Sequence, residues 1–427
     1  MSSGTASLDQ LLGRIAADPR LWDDFNAICD CGGRLAGSDS EARARDFILA
    51  RLAASGGHAW LEQVPYAAWR AGRCSLSLAD GTPLTCQPLL GSASTPADGL
   101  LVEVIDLGRG TAQTFARQRT QIAGRVALVR HEYPFSAGHV HRRRKYEAAL
   151  AAGAAAFLIA NPAPGGSPTS GSSGRNGGAG IPAAATDLQS TERILAQPAP
   201  WVRLQIQGED YSGDAATPML DLPGRDPADP TRIVLSAHLD GHPLAESAMD
   251  NASGLAVVLA LVRAVAPMIG QCARGLRVCL FTAEEWALSG SREWLARMTE
   301  QERSQYLFNL NLDTVAADAT LTALTSGFAG LAPLVAAAGR AIDEPIGVYR
   351  PLMANSDHAS FAAHGIPALR LLAGFDRPQS GVRHILTAQD TRDRIQPDEL
   401  VRAARVAASL LWHALNAEPA LVASWRQ

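Results

Sequence analysis

Three short apolar runs, each closing on carboxylates, constrain this chain more than any other feature. Ile233-Val234-Leu235 leads to His238 and Asp240. Arg277 to Phe281 leads through Thr282 and Ala283 to Glu284 and Glu285. Phe308 to Leu312 ends on Asp313. Apolar runs of this length between polar residues read as buried strands. His238 and Asp240, two residues apart on extended backbone, project to one side. Asp250 and Asn251 stand just before Leu255, Val258, Val262 and Val265, which recur at helical spacing. An imidazole and two carboxylates therefore gather where a strand hands over to a helix. In open α/β sheets that carboxyl edge is where sites form. Taken singly, HxD is a weak signal, and Asp-Asn before a helix also serves as a plain cap.

The other two runs strengthen the metal reading. Buried carboxylates are costly unless paired or metal-bound. A further histidine, His384, lies in a loop before the final helical stretch at 398–416. Strand-end acids with two histidines make a hard-to-borderline N/O donor set, which suits zinc. A pair of metals would also need a bridging carboxylate.

The order HxD (His238–Asp240), MDNASG (249–254), TAEE (282–285), NLD (311–313), then His384 with a following Asp390-Thr391 resembles the M28 family of co-catalytic zinc peptidases. Further matches are Gly33-Arg34-Leu35-Ala36-Gly37-Ser38 near the start and Ser356-Asp357-His358-Ala359-Ser360-Phe361 (SDHxxF). The resemblance covers nearly the whole chain. It implies two Zn2+ ions: His238 and Asp313 hold one, Glu285 and His384 hold the other, and Asp250 bridges them. Glu284 is then the general base, and Asp240 fixes the His238 ring. The implied activity is peptide hydrolysis by an exopeptidase, with aminopeptidase first. Carboxypeptidase, dipeptidase and glutaminyl-cyclase-like acyl transfer share much the same metal shell. A catalytically inactive receptor-like protein is the reading from another class, and retention of every ligand and the base counts against it.

Two positions depart from the family. A tyrosine commonly precedes the last histidine ligand, and Arg383 stands there instead. Arg383 or Tyr349 is then a candidate to stabilise an oxyanion. His242, just after HxD, either lines the substrate pocket or sits idle at the surface.

At 427 residues the chain exceeds one ordinary core, so two domains are expected. From about Arg73 the texture changes to short strand-like runs, followed by a helical stretch from Arg142 to Gly153. Lys145, the only lysine in the chain, precedes Gly153-Ala154 by eight residues. This resembles a protease-associated domain. The expected division is a catalytic domain at 1–72 and 201–427 with an inserted β-rich lid at 73–200. The fold class is α/β: a mixed, mostly parallel sheet flanked by helices. Residues 161–180 are rich in Gly, Ser and Pro and read as a mobile flap. His139 to Lys145 (HVHRRRK) reads as a solvated helix start, or as a lid patch for acidic substrates.

The net charge of −4 is too mild to indicate nucleic acid or a membrane surface. The N-terminus has no basic segment followed by an apolar one, and no run of about 18 apolar residues stands out. The expectation is a cytoplasmic protein, with export open if a leader was trimmed. Six cysteines in so long a chain read as free thiols. Neither HExxH nor a P-loop is present, and no GxSxG elbow follows a strand.

Overall fold

The computed structural model describes residues 7–175 and 178–427. The chain divides into two compact units. The larger holds residues up to Pro65, Asp214–Ile385 and Asp390–Gln427. The smaller holds Tyr66–Gly213 and Leu386–Gln389. The expected borders at 73 and 200 differ from these because no loop marks the division. Two long strands, His58–Leu78 and Trp201–Leu222, each continue through it.

At the centre of the larger unit are four parallel strands in the order Ala368–Ala373, Tyr306–Leu312, Arg232–His238, Gly275–Phe281. Leu321–Leu324 joins one side antiparallel, with Gly347–Tyr349 beyond it at the edge. Residues 219–222 join the other side antiparallel. Every residue of Arg232–His238 is buried, so the strand is covered on both faces, as a parallel sheet requires. Val234, Cys279 and Phe281 pack with Trp294 and Phe361 in one cluster, using the helices Ser289–Ala296 and His358–Ala363. Helices Ser253–Val265 and Pro397–Leu415 pack against the same central strands and against each other. The stretch Ala248–Val265 is apolar and long enough to cross a membrane by length and composition, an exception to the sequence reading. It is 94% buried inside the protein, which is the position of a core helix.

The three central strands with acids at their ends are neighbours. Arg232–His238 lies between the other two, and His238 is in register with Phe281. The sheet thus delivers His238, the turn after Phe281 and the residue after Leu312 to one edge.

In the smaller unit, Leu100–Asp106, Val126–Arg130, Ala156–Ala160 and Ala183–Thr186 run parallel in that order, and Cys86–Pro88 is antiparallel to the last. Phe115, Ile122, Tyr146, Phe157 and Ile159 form its core. Helices link the first three of these strands in turn, although strands dominate the unit.

The Gly/Ser/Pro-rich segment does not behave as a solvated flap, although Asn176 and Gly177 lie outside the described residues. Thr169, Ser170, Ser172 and Ser173 are buried. The amide of Ser170 donates to Leu386 O, that of Leu90 to Gly171 O, and that of Ser173 to Leu90 O. Small side chains leave these backbone groups free to bond, and a Cβ at Gly171 would overlap the Arg142 guanidinium. The basic cluster is likewise partly internal. Lys145 is buried, donating to Glu132 Oε1 and Arg130 O at 2.7 Å each, and Arg142 Nε reaches Ser172 O. His141 Nδ1 accepts from the Arg143 amide and caps the helix Arg142–Ala151. This is a helix start, not a charged surface patch.

Candidate metal centre

His238 is almost fully buried at its strand end. Its Nδ1 lies 2.9 Å from the backbone oxygen of Asp240, which assigns the ring proton to Nδ1. Nε2 then points the other way, 3.0 Å from Asp250 Oδ1 and 3.5 Å from Asp313 Oδ1. A ring nitrogen donating to a carbonyl while its partner faces carboxylates is the usual arrangement of a metal-ligating histidine. Ligand atoms of His238, Asp250 and Asp313 all lie within 4.8 Å of one another. Three buried N/O donors at this spacing fit a zinc ion, since a catalytic zinc takes three protein ligands and keeps one position open.

Burial alone would lower the His238 pKa. The Asp313 and Glu284 carboxylates and the bond to Asp250 outweigh it and raise the pKa well above its ordinary value. Burial would raise Asp313, but the Arg370 guanidinium at 3.0 Å and His238 hold it below the usual carboxylate range. Glu284 is pushed well above its ordinary range by burial, with His238 opposing and Glu285 adding to the rise. So dense a set of carboxylates is what a bound cation would neutralise.

Asp240 does something other than expected. Its carboxylate lies 3.9 Å from His238 Nδ1, and its backbone oxygen fixes the ring instead. The carboxylate grips the TAEE turn: Oδ1 accepts from the Glu284 amide at 2.9 Å, and Oδ2 from the Glu285 amide at 3.2 Å. The turn needs such a clamp because Ala283 is held at φ 55°, a conformation disfavoured for a residue with a Cβ. Before it, the Thr282 hydroxyl donates to the buried Glu41.

The remaining sequence candidates fall as follows. Glu285 is buried at the same strand end but does not complete a second three-donor group at the spacing of the first among the described residues. His384 is half-buried, and its Nε2 accepts from Arg383 Nε at 3.3 Å. Arg383 is exposed and also donates to the Gln379 side chain. Tyr349 lies on the edge strand against Phe375, with ring centroids 4.6 Å apart, away from the central strands that carry the donors. His242 neither lines an open pocket nor sits at the surface. It is 0% exposed, with Nε2 3.8 Å from Asp390 Oδ2.

Three supporting residues had no role assigned from the sequence. Asp390 accepts from the backbone amides of Met249, at 2.7 Å, and Asp250, at 3.3 Å, and so places the Asp250 backbone. Arg370 sits on Asp313. Arg34, fully buried, donates to the carbonyls of Gly32, Leu239, Glu246 and Ser247. It thereby closes the loop between HxD and MDN, and among the described residues it makes no ion pair. Arg34→Lys keeps the charge but loses the planar fork. It should lower stability by about 2 kcal/mol through carbonyls left unbonded, as a shifted urea midpoint at unchanged slope would show.

Residues 219–411 match the family model of peptidase family M28, and residues 90–194 match that of the PA domain. The M28 match falls almost wholly in the larger unit and the PA match in the smaller one. The M28 match supports a hydrolase of peptide bonds. It is 24% identical over 345 residues to aminopeptidase YwaD of Bacillus subtilis (strain 168), covering 79% of this chain and 72% of that one. Two solved structures share its fold over 96% of both chains. The M28 peptidase precursor from Shewanella amazonensis SB2B is 22% identical with TM-score 0.78, and the aminopeptidase from Aneurinibacillus sp. strain AM-1 is 23% identical with TM-score 0.71. A zinc aminopeptidase from Bacillus subtilis is 21% identical, with TM-score 0.72 over 97% of this chain and 96% of the other.

Proposed function

We propose that this chain is an M28-type aminopeptidase working with two zinc ions. The observation that carries the reading is the buried His238–Asp250–Asp313 donor set, with Glu284 and Glu285 clamped beside it by one carboxylate. His238 and Asp313 would hold the first zinc, Glu285 and His384 the second, and Asp250 would serve both. Zinc bound there supplies Lewis acidity and lowers the pKa of water. Glu284 takes the proton from the attacking water and returns it to the leaving amine, a role suited to a carboxyl whose pKa burial raises. Asp240 keeps the Glu284 backbone in place during that transfer, and Asp390 does the same for Asp250. Arg383, exposed beside His384, is the candidate donor to the developing oxyanion in place of the family's tyrosine.

The aminopeptidase direction is supported by the names of the relatives. The test is a parallel assay of aminoacyl anilides with a free amine, their N-acetylated analogues and N-blocked dipeptides. The free-amine substrates should be cleaved and the acetylated ones not. Release of C-terminal residues from N-blocked peptides would instead make it a carboxypeptidase or dipeptidase. Elemental analysis near two zincs per chain is expected, and a value near one would count against the paired metals.

A further inference from the structure

Cys74 and Cys86 face each other in the smaller unit. The hairpin turn between them is closed by Leu78 N to Thr82 O and Gly81 N to Leu78 O. Leu76 pairs with Leu84 and Ser77 with Pro83 in antiparallel register. Carrying that register on by two residues sets Cys74 opposite Cys86, and the sulfurs are 3.5 Å apart. Directly opposed residues on antiparallel strands have Cα atoms about 4.5–5.5 Å apart, within the roughly 4.4–6.8 Å that a disulfide spans. Both thiols are partly exposed, so a small oxidant can reach them. By contrast Cys29, Cys272 and Cys279 are buried.

We propose that Cys74 and Cys86 are an oxidisable pair that forms an intramolecular disulfide with a small-molecule disulfide as oxidant. The step is thiol–disulfide exchange. The Cys86 thiolate attacks one sulfur of the oxidant, forming a mixed disulfide and expelling one thiolate. Cys74 then loses its proton and attacks the Cys86 sulfur, expelling the second. Two protein thiols are oxidised by two electrons, and the oxidant is reduced to two thiols. Cys86 is the natural first nucleophile, because the hydrogen bond from Cys74 lowers its pKa while the Cys74 pKa is raised. The closed bond would tie the end of the long strand His58–Leu78 to the strand Cys86–Pro88.

The test uses the full chain equilibrated with oxidised glutathione, then alkylated and digested with trypsin. Cleavage after Arg73 and Arg109 puts both cysteines on one peptide. That peptide should lose two hydrogens and both alkylation sites, and regain them after reductant. Four of the six thiols should stay alkylatable. In C74S, Cys86 should instead stop at a glutathione adduct, which shows that the site is reached but the second sulfur is missing. The proposal is overturned if the wild-type peptide keeps two alkylatable thiols or only gains glutathione. It is overturned equally if the bond forms between Cys29 and Cys31, or if C74S still loses two hydrogens.

Discussion

Glu284→Gln is expected to keep the zinc content of the wild-type protein and to lower kcat by ~10²-fold or more, the usual weight of a positioned general base. Glu284 and Glu285 are neighbours held by the two oxygens of one carboxylate, so their backbones are fixed together while their side chains diverge. Only one of them can join the metal easily while the other faces the water. Glutamine fills the same space as Glu284 and removes no ligand, so metal retention should not change. KM should move little, because proton transfer belongs to the transition state. Glu285→Gln should instead reduce the zinc bound per chain. Elemental analysis beside steady-state kinetics separates the two. If Glu284→Gln loses metal while Glu285→Gln only slows, the roles are exchanged. If neither changes activity, the chemistry lies elsewhere.

His238 and Asp313 were legible in the sequence because each ends an apolar run, where a buried ligand has few inexpensive explanations, and Asp250 because it stands just before a helical one. His238 and Asp313 are far apart in the chain, but adjacent strands of the sheet bring them to one edge beside Asp250. What holds them had no local signal. Arg34 reaches carbonyls 205–213 residues away, and Asp390 reaches amides 140–141 residues away. Neither partner is recognisable without the fold, since a backbone group carries no sequence signature. Residues 161–180 misled for a related reason. Their composition offers no apolar surface to bury, but backbone groups of the described Ser170, Gly171 and Ser173 are bonded in the interior of the unit. His242 was ambiguous because its register after HxD is the same whether the loop turns inward or outward. The four carbonyls gathered by Arg34 close that loop, and the His242 side chain is buried within it.

Asp240→Asn should lower both activity and zinc affinity, each by about 10–100-fold, the range found when a partner supporting a metal site is altered. The asparagine fits the space but presents one oxygen and one amino group where two backbone amides donate. One amide then meets another donor in a site that excludes water, and the turn carrying Glu284 and Glu285 must shift. The ring of His238 should stay in place, since its Nδ1 bonds to the Asp240 backbone oxygen, which the substitution retains. The losses should therefore fall on the zinc that depends on Glu285 and on proton transfer by Glu284, while the zinc on His238 and Asp313 is held nearly as before. Stepwise removal of zinc with a chelator of graded strength checks this. One ion should leave the variant at much lower chelator concentration than it leaves the wild type, and the other should leave at an unchanged concentration. If both ions leave the variant at lower chelator concentration, the Asp240 carboxylate acts on His238 after all, and the clamp on the TAEE turn is incidental.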